Sequence, residues 1–347
     1  MPTIAMIREH AKDERRVALT PETCKKLIAK NMQIVIEAGA GLPAGFTDED
    51  YVGAQIASGS TEALAKADVL LCVQAPDAKS LEQLKQQAIV IGSLAPHMTA
   101  DLMPIYFSRS HSAFALEKLP RTTRAQAMDV LSSQAGMAGY KAVLIAAQLA
   151  PRFFPMLTTA AGTIRPSKVL IIGAGVAGLQ AIATAKRLGA QVEGFDVRPE
   201  TREQIESLGG KFLDLGVSAA GEGGYARALT DEERGLQQER LAAHLKSVDV
   251  IVTTAAIPGR PAPKIITEAM VHGMRRGSVI VDLAAETGGN CALTVPGENI
   301  DINGVLVAGP LNLASMGAVH ASEMFARNAF NFLSLMIAEP GQLTIPF

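Results

Sequence analysis

The chain contains no tryptophan, and aromatic residues fill only 4% of its 347 positions. That scarcity excludes a base-stacking platform or an aromatic-rich recognition surface. Neither sign of charge is in excess: 32 basic residues stand against 34 acidic ones, a formal net charge of -2. A broadly cationic nucleic-acid binder is thereby excluded, although a local basic patch is not. Cysteine is sparse: Cys24, Cys72 and Cys291 are far apart and form no C-x-x-C. Neither a disulfide framework nor a zinc site is supported, so no metal is expected. The three read as small buried hydrophobes in a reducing cytosol. Long apolar runs are missing too. The opening MPTIAMIREHAKDERR lacks the apolar core of a secretory signal, and the stretch between Lys141 and Lys168 is broken by Arg152 and several prolines. Nothing reaches the roughly 20 apolar residues of a membrane span, so the chain alone is expected to be soluble.

Core-forming material is plentiful, with 48% hydrophobic and 19% charged residues. At roughly 150 residues per domain the length suggests two domains. The first third alternates strand-like and helix-like stretches: Thr3–Ile7, a helix from Pro21 capped by Thr20, Gln33–Glu37, Asp68–Val73, Ile89–Leu94 and a short Phe114–Leu116. Alternation of this kind implies crossover units and a parallel sheet. Residues 1–120 are therefore expected to form one α/β domain. Residues 121–150 read as a bridging segment with a long helix over Arg124–Ala150, followed by a Pro/Gly/Thr-rich connector. A second alternating series starts at Lys168, giving a second α/β domain over 151–319, with strands near 168–172, 191–196, 249–253, 278–282 and 304–308. The final stretch, 320–347, carries Met324, Phe325, Phe332 and Leu335 near helical spacing and is expected to pack back on the first domain. The fold class is thus α/β: two Rossmann-like, doubly wound parallel-sheet domains with a nucleotide cleft between them.

The chemistry concentrates in KVLIIGAGVAGLQAIATAKRLGAQVEGFDVR, where Gly173, Gly175 and Gly178 form G-x-G-x-x-G. An apolar strand precedes it, a helical pattern follows, and an acid ends the next strand. In that context Gly173 permits the tight turn, Gly175 lets the backbone approach a pyrophosphate, and Gly178 lets helix pack on strand. The helix N-terminus offers free N–H groups and a positive dipole end to phosphates. Asp196, 18 residues after Gly178, can accept hydrogen bonds from ribose hydroxyls and would repel a 2′-phosphate, which favours NAD(H) over NADP(H). Arg198 is open between two roles, a phosphate contact or a salt-bridged surface arginine.

Other segments carry weaker signals. GEGGYARAL lies in a long polar insertion. Gly223 and Gly224 can act as hinges with Tyr225 closing over a ligand, or the loop can be inert. Ala255, Ala256 and Leu283 to Glu286 follow strands and so lie at the ligand-binding edge of a parallel sheet, although ordinary β–α turns look the same. RTTRAQAMDVLSSQ gathers Arg121, Gln126, Asp129 and Ser132, either along a cleft or as the exposed polar start of a helix. The six histidines are scattered, and none sits in a proton-relay motif.

ERRVALTPE, EAGAG, RTTRAQAMDVLSSQAGMAGYKAV, TAAGTIRPSKVLIIGAGVAGLQAIATAKRLGA, GGYA, DVIVTTAAIPGRPAPKIIT and GSVIVDLAAETGGNC together resemble the NAD(H)-binding domain I of proton-translocating NAD(P) transhydrogenase, in its alpha subunit. The resemblance covers residues 3 to about 335. That family is related to alanine dehydrogenase, which shares the RVALTP start. Alanine dehydrogenases carry a substrate-binding Lys and a catalytic His where this chain has Gln74 and Ala95, with His97 nearby. Oxidation of an alcohol or amine carbon needs a proton acceptor, whereas hydride exchange between two nicotinamides needs none.

The resemblance implies an oxidoreductase that moves hydride between NADH and NADP+, with NADP(H) held only on a partner beta subunit, and couples this to proton translocation through membrane-spanning partners. It implies a homodimer, peripheral on the cytoplasmic face of the inner membrane. It further implies that Arg121, Asp129 and Ser132 position the nicotinamide and its carboxamide, and that Gln126 reaches the partner nicotinamide. Gly175 and Val176 meet the pyrophosphate, and Asp196, Val197 and Arg198 meet the adenosine ribose. Tyr225, with Gly224, belongs to a mobile loop, and Gln237 and Ala256 are further nucleotide contacts. Two departures stand out: threonines in RTTRAQ where the family has Ile-Ser, and an end at LTIPF where relatives continue. The alternatives are an alanine-dehydrogenase-like amino acid dehydrogenase and a non-catalytic NAD(H)-sensing module.

Overall fold

A computed structural model describes residues 1–219, 227, 229–256 and 259–345. The chain forms two compact units, residues 1–134 with 314–347, and residues 135–313.

The first unit holds β1 (Thr3–Met6), α1 (Pro21–Ile28), β2 (Gln33–Glu37), β3 (Gln55–Ala57), α2 (Ser60–Lys66), β4 (Val69–Gln74), α3 (Ala78–Gln83), β5 (Ile89–Ser93), α4 (Met103–Ser108) and β6 (Ser112–Ala115). Helix α5 (Val130–Leu149) begins here. The strands form one parallel sheet in the order β3-β2-β1-β4-β5-β6. The direction in which successive strands are added reverses between β1 and β4, the switch point of a doubly wound fold. Strands buried on both faces must be apolar at successive positions. Ile4, Met6, Ile34, Ile36, Leu71 and Ile91 point to one core and Ala5, Val35, Leu70, Cys72 and Val90 to the other. Thr20 caps α1 in a capping box with Thr23, and Pro21 takes the first turn, where its missing N–H costs nothing.

The second unit holds β7 (Leu157–Thr159), β8 (Gly162–Ile164), β9 (Lys168–Ile172), α6 (Val176–Arg187), β10 (Gln191–Phe195), α7 (Thr201–Ser207), β11 (Lys211–Phe212), α8 (Asp231–Leu245), β12 (Val250–Thr253), α9 (Glu268–His272), β13 (Val279–Asp282), β14 (Asn299–Ile302) and β15 (Val305–Ala308). Its main sheet runs β11-β10-β9-β12-β13-β15-β14, parallel except for β14. The switch point lies between β9 and β12. Ala142, Val143 and Ala146 of α5 and Ala181 and Ala185 of α6 pack on one face, Leu241 and Leu245 of α8 and Val271 of α9 on the other. Strands β7 and β8 pair only with each other, as a separate hairpin.

Helix α10 (Ala318–Ser334) returns to the first unit. Phe325, Ala329, Phe332 and Leu333 enter the same core as β1 and β2, and Phe332 packs against Phe114 with ring centres 5.3 Å apart.

The sequence predicts an uninterrupted helix from Arg124. The structure instead has a 3₁₀ turn over Thr123–Met128, and α5 starts at Val130. The cause is Asp129: its carboxylate accepts the Ser132 N–H at 3.0 Å and the Ser132 hydroxyl at 2.6 Å, capping a new helix rather than continuing the turn.

Candidate functional site

In the second unit the glycine turn stands at the switch point. Gly173 has φ +93°, a region that favours glycine, and a Cβ there would lie 2.7 Å from Thr254 Oγ1. A Cβ on Gly178 would lie 1.8 Å from the Gly173 carbonyl oxygen, so α6 approaches β9 as closely as it does only without a side chain. Gly175 is the N-cap of α6 and differs from both: a Cβ there would meet nothing within 4 Å. Space therefore lies open in front of the first α6 N–H groups. Val176, the first residue of the helix, is exposed beside it.

Asp196 follows β10 and reaches back to this turn. Its Oδ2 accepts the Ala174 N–H at 2.7 Å. Arg198 completes its shell, donating its backbone N–H and Nε to Oδ1, both at 2.9 Å, and Nη2 to Oδ2 at 2.7 Å. Burial pushes the Asp196 carboxyl up, but these donors and the guanidinium charge hold it below the ordinary range. Asp196 is thus a buried, ionised carboxylate beside the open helix N-terminus. Of Arg198's two readings, the salt-bridged arginine describes its placement here. Val197 accepts the Ala219 N–H through its carbonyl at 2.7 Å. Ala256 is exposed just beyond β12, and Gln237 is buried on α8. Gly223, Gly224 and Tyr225 lie outside the described residues.

In the first unit Asp129 and Ser132 come together as the cap of α5, while Arg121 and Gln126 are exposed, Gln126 within the 3₁₀ turn. The switch point of this unit has no glycine turn and is filled by the chain's own polar groups. Glu9 accepts the Val73 N–H at 2.6 Å and the Gln74 N–H at 3.1 Å. Glu14 receives Arg16 in a two-point pair, Nε at 2.8 Å and Nη2 at 2.6 Å, and the Gln74 amide at 2.6 Å. Arg16 Nη1 donates to Gln134 Oε1 at 2.9 Å. Ala95, at the position of a substrate dehydrogenase's histidine, donates its N–H to Glu117 at 2.7 Å, and His97 is exposed. Of these groups, sequence reasoning singled out Arg16 and Gln74. It passed over Glu9, Glu14 and Gln134, whose partners lie far along the chain. The three cysteines are buried and free, and burial raises each thiol, Cys24 to about 11. No helix among the described residues is long and apolar enough to cross a membrane, and no group of His, Cys, Asp or Glu among them can hold a metal ion.

Comparison with known proteins gives a consistent picture. The family "Alanine dehydrogenase/PNT, N-terminal domain" matches residues 5–138, and "Alanine dehydrogenase/PNT, C-terminal domain" matches residues 142–345. The first of the separate NAD(P) transhydrogenase subunit alpha chains of Rhodospirillum rubrum is 45% identical over 342 residues, covering 95% of this chain and 89% of that protein. The crystal structure of transhydrogenase from Sinorhizobium meliloti superposes with a TM-score of 0.89 at 39% identity, covering 99% of this chain and all of that one. An L-alanine dehydrogenase structure shares the fold, with a TM-score of 0.81 at 23% identity over 99% of this chain and 97% of that one.

Proposed function

The chain belongs to the alanine dehydrogenase/PNT family as an NAD(P) transhydrogenase alpha subunit, and from that premise we propose that its second unit binds NAD(H) and that the chain hands hydride to NADP+ held on a partner subunit. The observation that carries the nucleotide site is the pairing of an open helix N-terminus at Gly175 with the buried carboxylate of Asp196. The N–H groups of Gly175 and Val176 would take the pyrophosphate, where the helix dipole favours negative charge. Asp196, Val197 and Arg198 would take the adenosine ribose, and Ala256 and Gln237 add contacts. The Asp196 shell leaves no spare lone pair, so Arg198 has to yield or share its hydrogen bonds when a ribose hydroxyl arrives. Bound NADH supplies the hydride; the chain's residues orient it and need move no proton.

Arg121, Asp129 and Ser132 are assigned to the nicotinamide carboxamide, and Gln126 to the transfer step. Gln126 can both donate and accept a hydrogen bond without adding charge. A charged group there would favour one of the two nicotinamide redox states.

We further propose a homodimer and membrane-bound partners that couple hydride transfer to proton translocation at the cytoplasmic face of the inner membrane. The support for the dimer is the hairpin of β7 and β8. It leaves Met156, Leu157 and Ile164 exposed, with Phe153 exposed just before it. Isolated two-stranded hairpins are marginal in water, and a second copy would cover this one.

A substrate-dehydrogenase activity is disfavoured by the first unit, where Arg16 is engaged by Glu14 and Gln134 and where Gln74 replaces a lysine. Calorimetric titration tests the nucleotide assignment: NADH is expected to bind at least roughly ten-fold more tightly than NADPH, about 1.4 kcal/mol. Equal affinities would refute it.

A further inference from the structure

The C-terminal ends of β9, β12 and β13 are tied together by side chains outside the glycine motif. Thr253 Oγ1 donates to Asp282 Oδ1 at 2.9 Å, joining the ends of β12 and β13. Thr254 Oγ1 donates to the Gly173 carbonyl at 2.9 Å, joining the end of β12 to the glycine turn. Asn290 completes the set. It is fully buried, its Oδ1 accepts the Ala255 N–H at 3.0 Å, and its Nδ2 donates to the carbonyls of Ala255 at 2.7 Å and Pro263 at 2.9 Å. One side chain thereby takes both polar groups of a single peptide residue, as a neighbouring strand would. Asn290 is itself anchored: its carbonyl accepts the N–H groups of Ile265 at 2.8 Å and Ile266 at 3.0 Å. The next residue, Cys291, donates its N–H to the buried Asp282 carboxylate at 3.0 Å. Gly288 and Gly289, at φ +101° and +81°, bring the chain back to this point, and a Cβ on Gly289 would lie 2.7 Å from Asp282 Oδ2.

We propose that Asn290 is a positioning residue for NAD(H): by holding Ala255 on both its polar sides it fixes segment 254–256 against the glycine turn, so that the nucleotide meets a preformed strand end. The inference rests on the NAD(H) reading above and adds a residue to it. Asparagine fits because its amide offers an acceptor and two donors in one plane. Alanine would leave three backbone groups without this partner. Aspartate, of the same size, would set a carboxylate oxygen against two carbonyls. An ordered binding edge raises affinity because the ordering cost is met during folding rather than on binding.

The test is NADH titration by fluorescence on folded wild type, Asn290→Ala and Asn290→Asp, with melting curves in parallel. Asn290→Ala is expected to bind NADH about ten-fold more weakly or worse. Asn290→Asp is expected to be as weak near pH 8 and to recover as pH falls, because a protonated carboxyl can again donate to one carbonyl. The titratable and charged neighbours Asp282, Cys291 and Lys264 are common to all three proteins, so a pH profile peculiar to the Asp variant reports on position 290. Folded variants that melt earlier yet bind NADH with wild-type affinity would overturn the proposal and leave Asn290 a stability residue. Wild type that does not bind NADH would overturn the NAD(H) reading and this inference with it. Should neither variant fold, the Asn290 side-chain amide resonance of wild type replaces them: a shift on saturation with NADH supports the role, and an unmoved resonance refutes it.

Discussion

Glu9 and Glu14 share one loop and titrate in opposite directions. Burial raises the Glu9 carboxyl from 4.5 to about 8, only partly offset by the N–H groups of Val73 and Gln74. Burial would raise Glu14 as well, but the Arg16 hydrogen bonds and charge, with Gln74, bring it to about 2. The signs follow from proton linkage. For Glu9 the folded chain binds the proton more tightly, so its contribution to stability falls as pH rises from about 4.5 to about 8. For Glu14 the folded chain binds it less tightly, so stability is present above pH 4.5 and is lost as pH falls toward about 2. Glu9→Gln is therefore expected to flatten the decline in melting temperature between pH 5 and 8, and an unchanged profile would contradict the assignment. Glu14→Gln removes the partner of a buried arginine and is expected to cost about 3–5 kcal/mol in denaturant unfolding. Asp196 was legible because its distance from a glycine motif has a chemical reason. Glu9, Glu14 and Asn290 were not, because what makes them important is a backbone group brought near only by folding. Asp196→Ala is expected to weaken NADH by about 1–3 kcal/mol in calorimetry. Gln126→Asn, one methylene shorter, is expected to slow hydride transfer in a mixture with the NADP(H)-binding component while leaving NADH affinity of the isolated chain unchanged.

Among the elements, the buried parallel strands were the easiest to read, since runs such as VLIIG and VIVT allow few other structures. The strands missed were short or exposed. Strand β3 has three residues, two of them exposed, β14 is polar on alternate positions, and β7 and β8 lie within a stretch that reads as a connector. The start of α5 was misplaced because helix composition extends across Asp129 while its carboxylate restarts the helix. The glycine turn yields the sharpest mutational expectation at this scale. Gly178→Ala places a carbon inside the Gly173 carbonyl's contact distance, so α6 must move away from β9. Stability should drop by at least about 1–3 kcal/mol and NADH binding should be lost. Replacing the hairpin 157–164 by a short linker should convert a dimer to a monomer in sedimentation while the variant still binds NADH; a variant that remains dimeric would remove the hairpin from the interface.

At the scale of the whole molecule, one strand order occurs twice, 3-2-1-4-5 followed by one or two edge strands, and the two switch points have diverged. One carries a glycine turn with open space before a helix N-terminus, the other is occupied by Glu9, Glu14, Arg16 and Gln74. A single nucleotide per chain is expected. The duplicated rhythm was legible in the sequence, but the filling of the first switch point was not, because no motif marks a site that its own side chains occupy. The central claim is direct hydride transfer without a proton acceptor, and isotope tracing tests it most directly. NADH deuterated at the transferred position is mixed with the chain, its NADP(H)-binding partner and NADP+, and the product is examined after a single turnover. The expected result is deuterium recovered in NADPH with none released to water. Deuterium washed into solvent, or NADPH formed without label, would contradict the account.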